Sequence, residues 1–119
     1  MDPTAAYKDN AVTTQSRGRL IVLLYDGAIK FLKQAIAELQ ADHYAQKGEY
    51  IGKAMAIIDE LDASLNMEAA EDMGMNLRKI YDFMRRHLLQ ASLKRDPQMI
   101  RDVIALLEDL NEGWKAITT

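Results

Sequence analysis

Apolar residues recur at intervals of three and four through four stretches of this chain, and the first stretch carries more of them than one packed face can use. Between Leu20 and Leu39 two stripes run side by side. One is Ile21, Leu24, Ala28, Phe31 and Ala35; the other is Val22, Tyr25, Ile29, Leu32, Ile36 and Leu39. At roughly 100° per residue they cover about half of a helix circumference, against the ~100° arc of an ordinary surface helix. Either neighbours pack this helix on two sides, or one stripe is reserved for a partner.

The later stretches carry single stripes. A second helix is predicted from Gln46 to Leu65, with Ile51, Ala54, Ile58, Leu61 and Leu65 as its seam. Gly48 and Gly52 weaken its first turns. A connection over Asn66–Asp72 leads to a third helix, starting at Asp72 or Met73 and ending near Lys94, with Leu77, Ile80, Tyr81, Met84, Leu88 and Ala91 inward. Asp96-Pro97 is a start signal, with Asp as N-cap and Pro in the first helical position. It opens a fourth helix whose stripe is Ile100, Val103, Leu107, Leu110, Trp114 and Ile117. Short connections make sequential helices antiparallel. The expected fold is all-α, an antiparallel four-helix bundle over residues 16–119. Residues 1–15 show no period and contain several poor helix formers, so they are expected to form a flexible N-terminal arm, with Ser16 capping a first helix that runs to about Gln40.

Composition narrows the class without naming a function. The 119 residues make one domain, large enough to bury a core unaided, and they include no Cys, which suits a reducing cytosol. The polar start lacks the basic and apolar regions of a signal peptide. The longest unbroken apolar run, Leu20 to Tyr25, is too short to insert in a membrane. A net charge of −3 with both signs interspersed gives no global drive toward nucleic acid. Arg78, Lys79, Arg85 and Arg86 make the third helix locally basic, but no stacking aromatics or reading motif accompany them.

No catalytic or cofactor motif emerges. A ferritin-like di-metal site needs Glu three residues before an inward His; here Gln40 precedes His43 and Met84 precedes His87. No Gly-rich phosphate loop is present, and Gly27, inside the first helix, reads as a point of close helix approach. The reading is a non-enzyme without metal or cofactor. More informative are apolar residues off the stripes: Leu20, Leu23, Ile57, Phe83, Leu89 and Leu106. Several of these beside a doubly striped helix suggest grooves for a partner segment. The alternative is dimerisation through the same surface, which would give a homodimer when the grooves are empty.

These residues also form a recognisable set. Tyr7-x-x-Asn10-x-Val12-x-Thr14 is followed by Leu20-Ile21 and by Leu23-Leu24-Tyr25-Asp26-Gly27-Ala28-Ile29-x-Phe31-Leu32. Ile51-x-Lys53-Ala54, Ile57-Ile58-x-Glu60-Leu61, Asn76-Leu77, Tyr81-x-x-Met84, Arg85-Arg86, Leu106-Leu107-x-x-Leu110 and Trp114 continue it. The set resembles the flagellin-specific secretion chaperones of bacterial flagella, the FliS family, over nearly the whole chain. Members usually carry Pro after the capping Ser and a Gly-Gly pair between the second and third helices; here Arg17 follows Ser16 and the connection reads Glu71-Asp72-Met73-Gly74. Neither departure removes an apolar groove residue.

The resemblance implies a non-enzymatic cytoplasmic chaperone. Such a protein binds the C-terminal segment of flagellin, blocks premature polymerisation and helps present the cargo to the flagellar type III export gate. The residues it assigns to flagellin binding or groove capping are Tyr7, Asn10, Val12, Ile21, Leu24, Tyr25, Ala28, Ile29 and Leu32. In this reading the arm, through Tyr7 and Val12, covers an apolar groove until flagellin displaces it. A helical adaptor or regulator unrelated to flagellin is the competing expectation.

Overall fold

The computed structural model describes the backbone of residues 3–68 and 71–118, and the side chains of residues 17–65 and 73–118. Four helices account for it: α1 (Pro3–Gln40), α2 (Tyr44–Glu68), α3 (Glu71–Lys94) and α4 (Pro97–Thr118). Each packs on its two sequence neighbours, and α4 closes the ring against α1, so α1 stands diagonal to α3. Cross-helix partners run in opposite order along each pair. Gly27 faces Ile57 while Phe31 faces Tyr50, and Gly18 faces Thr118 while Asp26 faces Asn111. The bundle is therefore antiparallel, as the short connections predict.

The seams of α2 and α3 are those the spacing selects. Ile51, Ala54, Ile58, Leu61 and Leu65 are buried on α2; Leu77, Tyr81, Met84, Leu88 and Ala91 are buried on α3, with Ile80 at the margin. On α1 the core line is Tyr25, Ala28, Leu32, Ala35 and Leu39, which draws from both expected stripes and runs between them. What remains of each stripe, including Ile21, Leu24, Ile29, Phe31 and Ile36, is half-buried on the two flanks. A helix packed by α2 on one side and α4 on the other needs apolar residues on both flanks. On α4, Ile104 and Asn111 join the buried line, whereas Ile117 is 75% exposed and not a core residue.

Four boundaries differ from expectation. α2 and α3 begin slightly earlier than expected, α2 runs past Leu65 to Glu68, and α1 begins at Pro3, so Ser16 lies inside a helix it was expected to cap. The backbone has no break between residues 1–15 and the bundle from Pro3 onward. Asp2-Pro3 repeats the Asp-Pro signature of the α4 start. Extending a helix already nucleated by packing also costs far less than starting one, so weak helix formers are carried along. At the α4 start, Asp96 Oδ1 accepts a hydrogen bond from the Gln98 amide at 2.9 Å, the expected cap.

Helices α1 and α3 both end on a left-handed residue that is not glycine. Asp42 (φ 62°) and Arg95 (φ 53°) occupy these positions. In each case the following amide reaches back to the last turn, His43 to the Glu38 carbonyl at 2.8 Å and Asp96 to the Ala91 carbonyl at 3.0 Å. The two turns meet at one end of the bundle. Tyr44 donates its hydroxyl to Asp42 at 2.9 Å while the Arg95 guanidinium lies 3.8 Å from the centre of its ring.

Candidate functional site

Polar and apolar seams alternate around the bundle. The α2/α3 seam is polar. Arg85 bonds Asp59 at 3.2 Å, Asp62 at 3.0 Å and also Asp82, and Lys47 gives its ammonium to the Ser92 carbonyl (3.1 Å) and hydroxyl (2.9 Å). The α4/α1 seam is tied by Asn111 Nδ2 donating to Asp26 Oδ1 at 2.8 Å, with the Lys115 ammonium 3.6 Å from the same oxygen. These two seams register the helices.

The other two seams carry half-buried apolar residues open to solvent, the α3/α4 seam together with one polar contact. Along α1/α2, Phe31 stacks on Tyr50 with ring centroids 6.2 Å apart, and Ile57 lies over Gly27. Two turns earlier on the same flank stand Leu24 and Leu20, the latter 55% exposed. Lys53 rises from α2 beside this floor, its ammonium 5.5 Å from both ring centres. Along α3/α4, His87 meets Asp102 at 3.1 Å and stacks on Phe83. One and two turns further into that seam lie Ile80, Leu106 and Leu110, all half-buried, with Phe83 exposed.

The expected site residues divide accordingly. Tyr25, Ala28 and Leu32 are completely buried in the core, so they line no open groove; the correction follows from the core line running between the two stripes. Ile21, Leu24 and Ile29 are half-buried. Leu24 belongs to the α1/α2 flank, and Ile29 lines an open hollow of about 490 Å³ on the outer side of α1 with Asp26, Lys30, Lys33, Gln34 and Ala37. Tyr7, Asn10 and Val12 have helical backbone, and their side chains lie outside the described residues. Of the off-stripe residues, Leu20 shares the flank of Gly27, over which Ile57 lies, whereas Leu23 lines a hollow on the α1/α4 side with Arg19, Val22, Lys115 and Thr118. Tyr50 and Lys53 are the members that periodicity passed over, because an aromatic and a lysine on a helix flank carry no spacing signal of their own.

The central signature of α1 is structural. Tyr25 meets the Tyr81 hydroxyl of α3 at 2.5 Å, Asp26 holds Asn111 of α4, and Gly27 faces Ile57 of α2. Three consecutive residues thus bind α1 to each of the other helices. Burial pushes the phenols of Tyr25 and Tyr81 up, so both stay protonated through the physiological range. Among the described residues no group of His, Asp and Glu could hold a metal ion, and no helix is long and apolar enough to cross a membrane.

Comparison with known proteins agrees with this geometry. The family model described as flagellar protein FliS matches residues 1–119. The chain belongs to the FliS family. It is 40% identical over 111 residues to the flagellar secretion chaperone FliS of Salmonella typhimurium, covering 92% of this chain and 82% of that protein. The Vibrio cholerae chaperone of the same name is 38% identical over 116 residues (94% and 85% covered), and that of Bacillus subtilis 34% over 114 (96% and 84%). The Tyr-Asp-Gly signature that pointed to the family in the sequence sits, in the fold, where α1 meets each of the other helices.

Proposed function

We propose that this chain is a cytoplasmic secretion chaperone that holds the disordered C-terminal segment of flagellin along its apolar seams. By covering that segment it prevents polymerisation, and it presents the cargo to the flagellar type III export gate. Two things support the reading: membership of a family whose relatives are named flagellar secretion chaperones, and the open α1/α2 seam. The seam carries the weight. A disordered amphipathic segment folds along such a surface as a helix, its apolar face meeting Leu20, Leu24 and Ile57. A fully buried Leu contributes ~1.5–3 kcal/mol, so a few anchors outweigh an ordering cost of about 2–5 kcal/mol. No bond is made or broken, so neither nucleotide nor metal is required, and release comes by handover to the export apparatus.

Residues 1–15 form the second functional unit in this reading. Tyr7, Asn10 and Val12 contact cargo or groove and give way when the cargo arrives. The test is calorimetric titration with a peptide of the flagellin C-terminal segment, in chelator and without nucleotide. Binding with a one-to-one stoichiometry and a negative heat-capacity change is the expected result. A protein that self-associates through the seam and ignores the peptide is instead a helical dimer or adaptor.

A further inference from the structure

The floor of the α1/α2 seam contains a cation with no counter-charge. Lys53 projects its ammonium over the stacked Phe31 and Tyr50 rings, 5.5 Å from each centre, and among the described residues no carboxylate reaches it. Glu49, one turn earlier on α2, and Glu60, two turns later, are exposed and leave it unpaired. Three cations at the other seams have partners: Lys47 in Ser92, Arg85 in three aspartates and Lys115 in Asp26. In the empty chaperone the ring faces and water suffice, since an exposed cation–π contact contributes only about 0.5–1 kcal/mol.

Docking changes that balance. An apolar helix laid on Leu20, Leu24 and Ile57 extends over Phe31 and strips water from the ammonium beside it. A desolvated and unpaired cation opposes binding strongly, whereas a carboxylate brought to the same point forms a charge-assisted hydrogen bond. We infer that Lys53 is a specificity residue of the cargo seam, selecting segments that carry a carboxylate next to their apolar anchors and rejecting purely apolar ones. The inference rests on the cargo-binding reading above. It adds the chemistry of the segment recognised: apolar anchors along one face of a helix, with one acid at the level of Phe31.

The experiment titrates the flagellin C-terminal peptide into the wild-type protein, Lys53→Met and Lys53→Arg, at low and high salt. Lys53→Met keeps the aliphatic stem over the rings and removes the charge. A thermal midpoint close to wild type shows that its fold is retained. The expected result is roughly 10-fold weaker binding for Lys53→Met at low salt, a shallower salt dependence, and recovery in Lys53→Arg. Changing each Asp and Glu of the peptide to its amide in turn, and amidating its C-terminus, finds the partner. One change weakens binding to the wild type but not to Lys53→Met, and it tells a side-chain acid from the chain terminus. Equal or tighter binding by Lys53→Met overturns the role of Lys53 while leaving cargo binding standing. A wild-type protein that does not bind the peptide overturns both.

Discussion

The hydroxyls of Tyr25 and Tyr81 meet 2.5 Å apart at the centre of the bundle, joining the two helices that otherwise stand diagonal to each other. Both rings are excluded from water, at 0% and 1% exposure. A polar contact there fixes the rotation and register of α1 against α3, which apolar packing alone leaves loosely defined. The contact also makes the fold sensitive to alkali. An unfolded tyrosine ionises near pH 10, while burial raises both folded phenols above that. Above pH 10 the unfolded chain therefore releases protons that the folded chain keeps. Stability is complete below that pH and falls as pH rises, by up to ~1.4 kcal/mol per pH unit for each tyrosine. Urea titrations between pH 8 and 11 check this. Tyr81→Phe should lower stability by about 1–3 kcal/mol at pH 8, by stranding the Tyr25 hydroxyl, and should flatten the alkaline loss.

Asn111 is the polar counterpart on the α1/α4 side. It is 2% exposed, and its amide donates to Asp26. Asn111→Asp would set a second carboxylate against the first, raising the folded pKa of the pair. The expected penalty is about 1–3 kcal/mol at pH 7 and smaller near pH 4, where one carboxyl holds a proton. Adding Asp26→Asn to that variant should restore most of the loss. Chemical denaturation at both pH values reads the effect.

Much of this was legible because helical spacing is a direct consequence of burial. On α2 and α3, each with a narrow stripe, period and core coincide except at Ile80, which lies at the margin, and at Lys47, a buried cation outside the stripe. On α1 the apolar arc is wide, and periodicity cannot say where its centre lies; only the positions of α2 and α4 do. Tyr25, Ala28 and Leu32 were thus assigned to a groove when they are core. The α4 line continues from Leu107 to Asn111, a polar residue that a hydrophobic count passes over, while Ile117 fits the spacing but stands exposed near the helix end. The cation over Phe31 and Tyr50 depends on two helices meeting, so no local pattern announces it.

Core and seam should respond oppositely to mutation. Leu107, with no exposed surface, loses packing on all sides when cut back, and Leu107→Ala should cost ~2–5 kcal/mol. Leu20 is 55% exposed, so Leu20→Asp should change stability by no more than about 0.5 kcal/mol while abolishing or strongly weakening binding of the flagellin peptide. Paired urea denaturation and calorimetry separate the two. Unfolding of Leu20→Asp would make Leu20 a core residue and remove it from the seam.

Gly27 offers a test of whether the seam is kept open for a partner. Glycine inside a helix costs about 1 kcal/mol relative to alanine, so a structural need is the first explanation to examine. Its backbone does not require glycine, since no glycine among the described residues has positive φ. Nor does packing, because a Cβ placed there would lie 3.4 Å from the Ile57 Cδ1 atom, ordinary van der Waals contact. The close approach expected from sequence therefore does not by itself demand a bare Cα. What the missing side chain leaves is depth in the floor between Leu24 and Phe31. Gly27→Ala is expected to raise stability by ~0.5–1 kcal/mol with a modest loss of peptide affinity. Gly27→Leu, which fills the floor with a flexible apolar chain, should keep the bundle folded and reduce peptide binding at least tenfold. Thermal unfolding and calorimetry on both variants decide the matter. If Gly27→Leu binds as the wild type does, the segment docks elsewhere, and the α3/α4 seam around Phe83 and Leu106 becomes the site to mutate next.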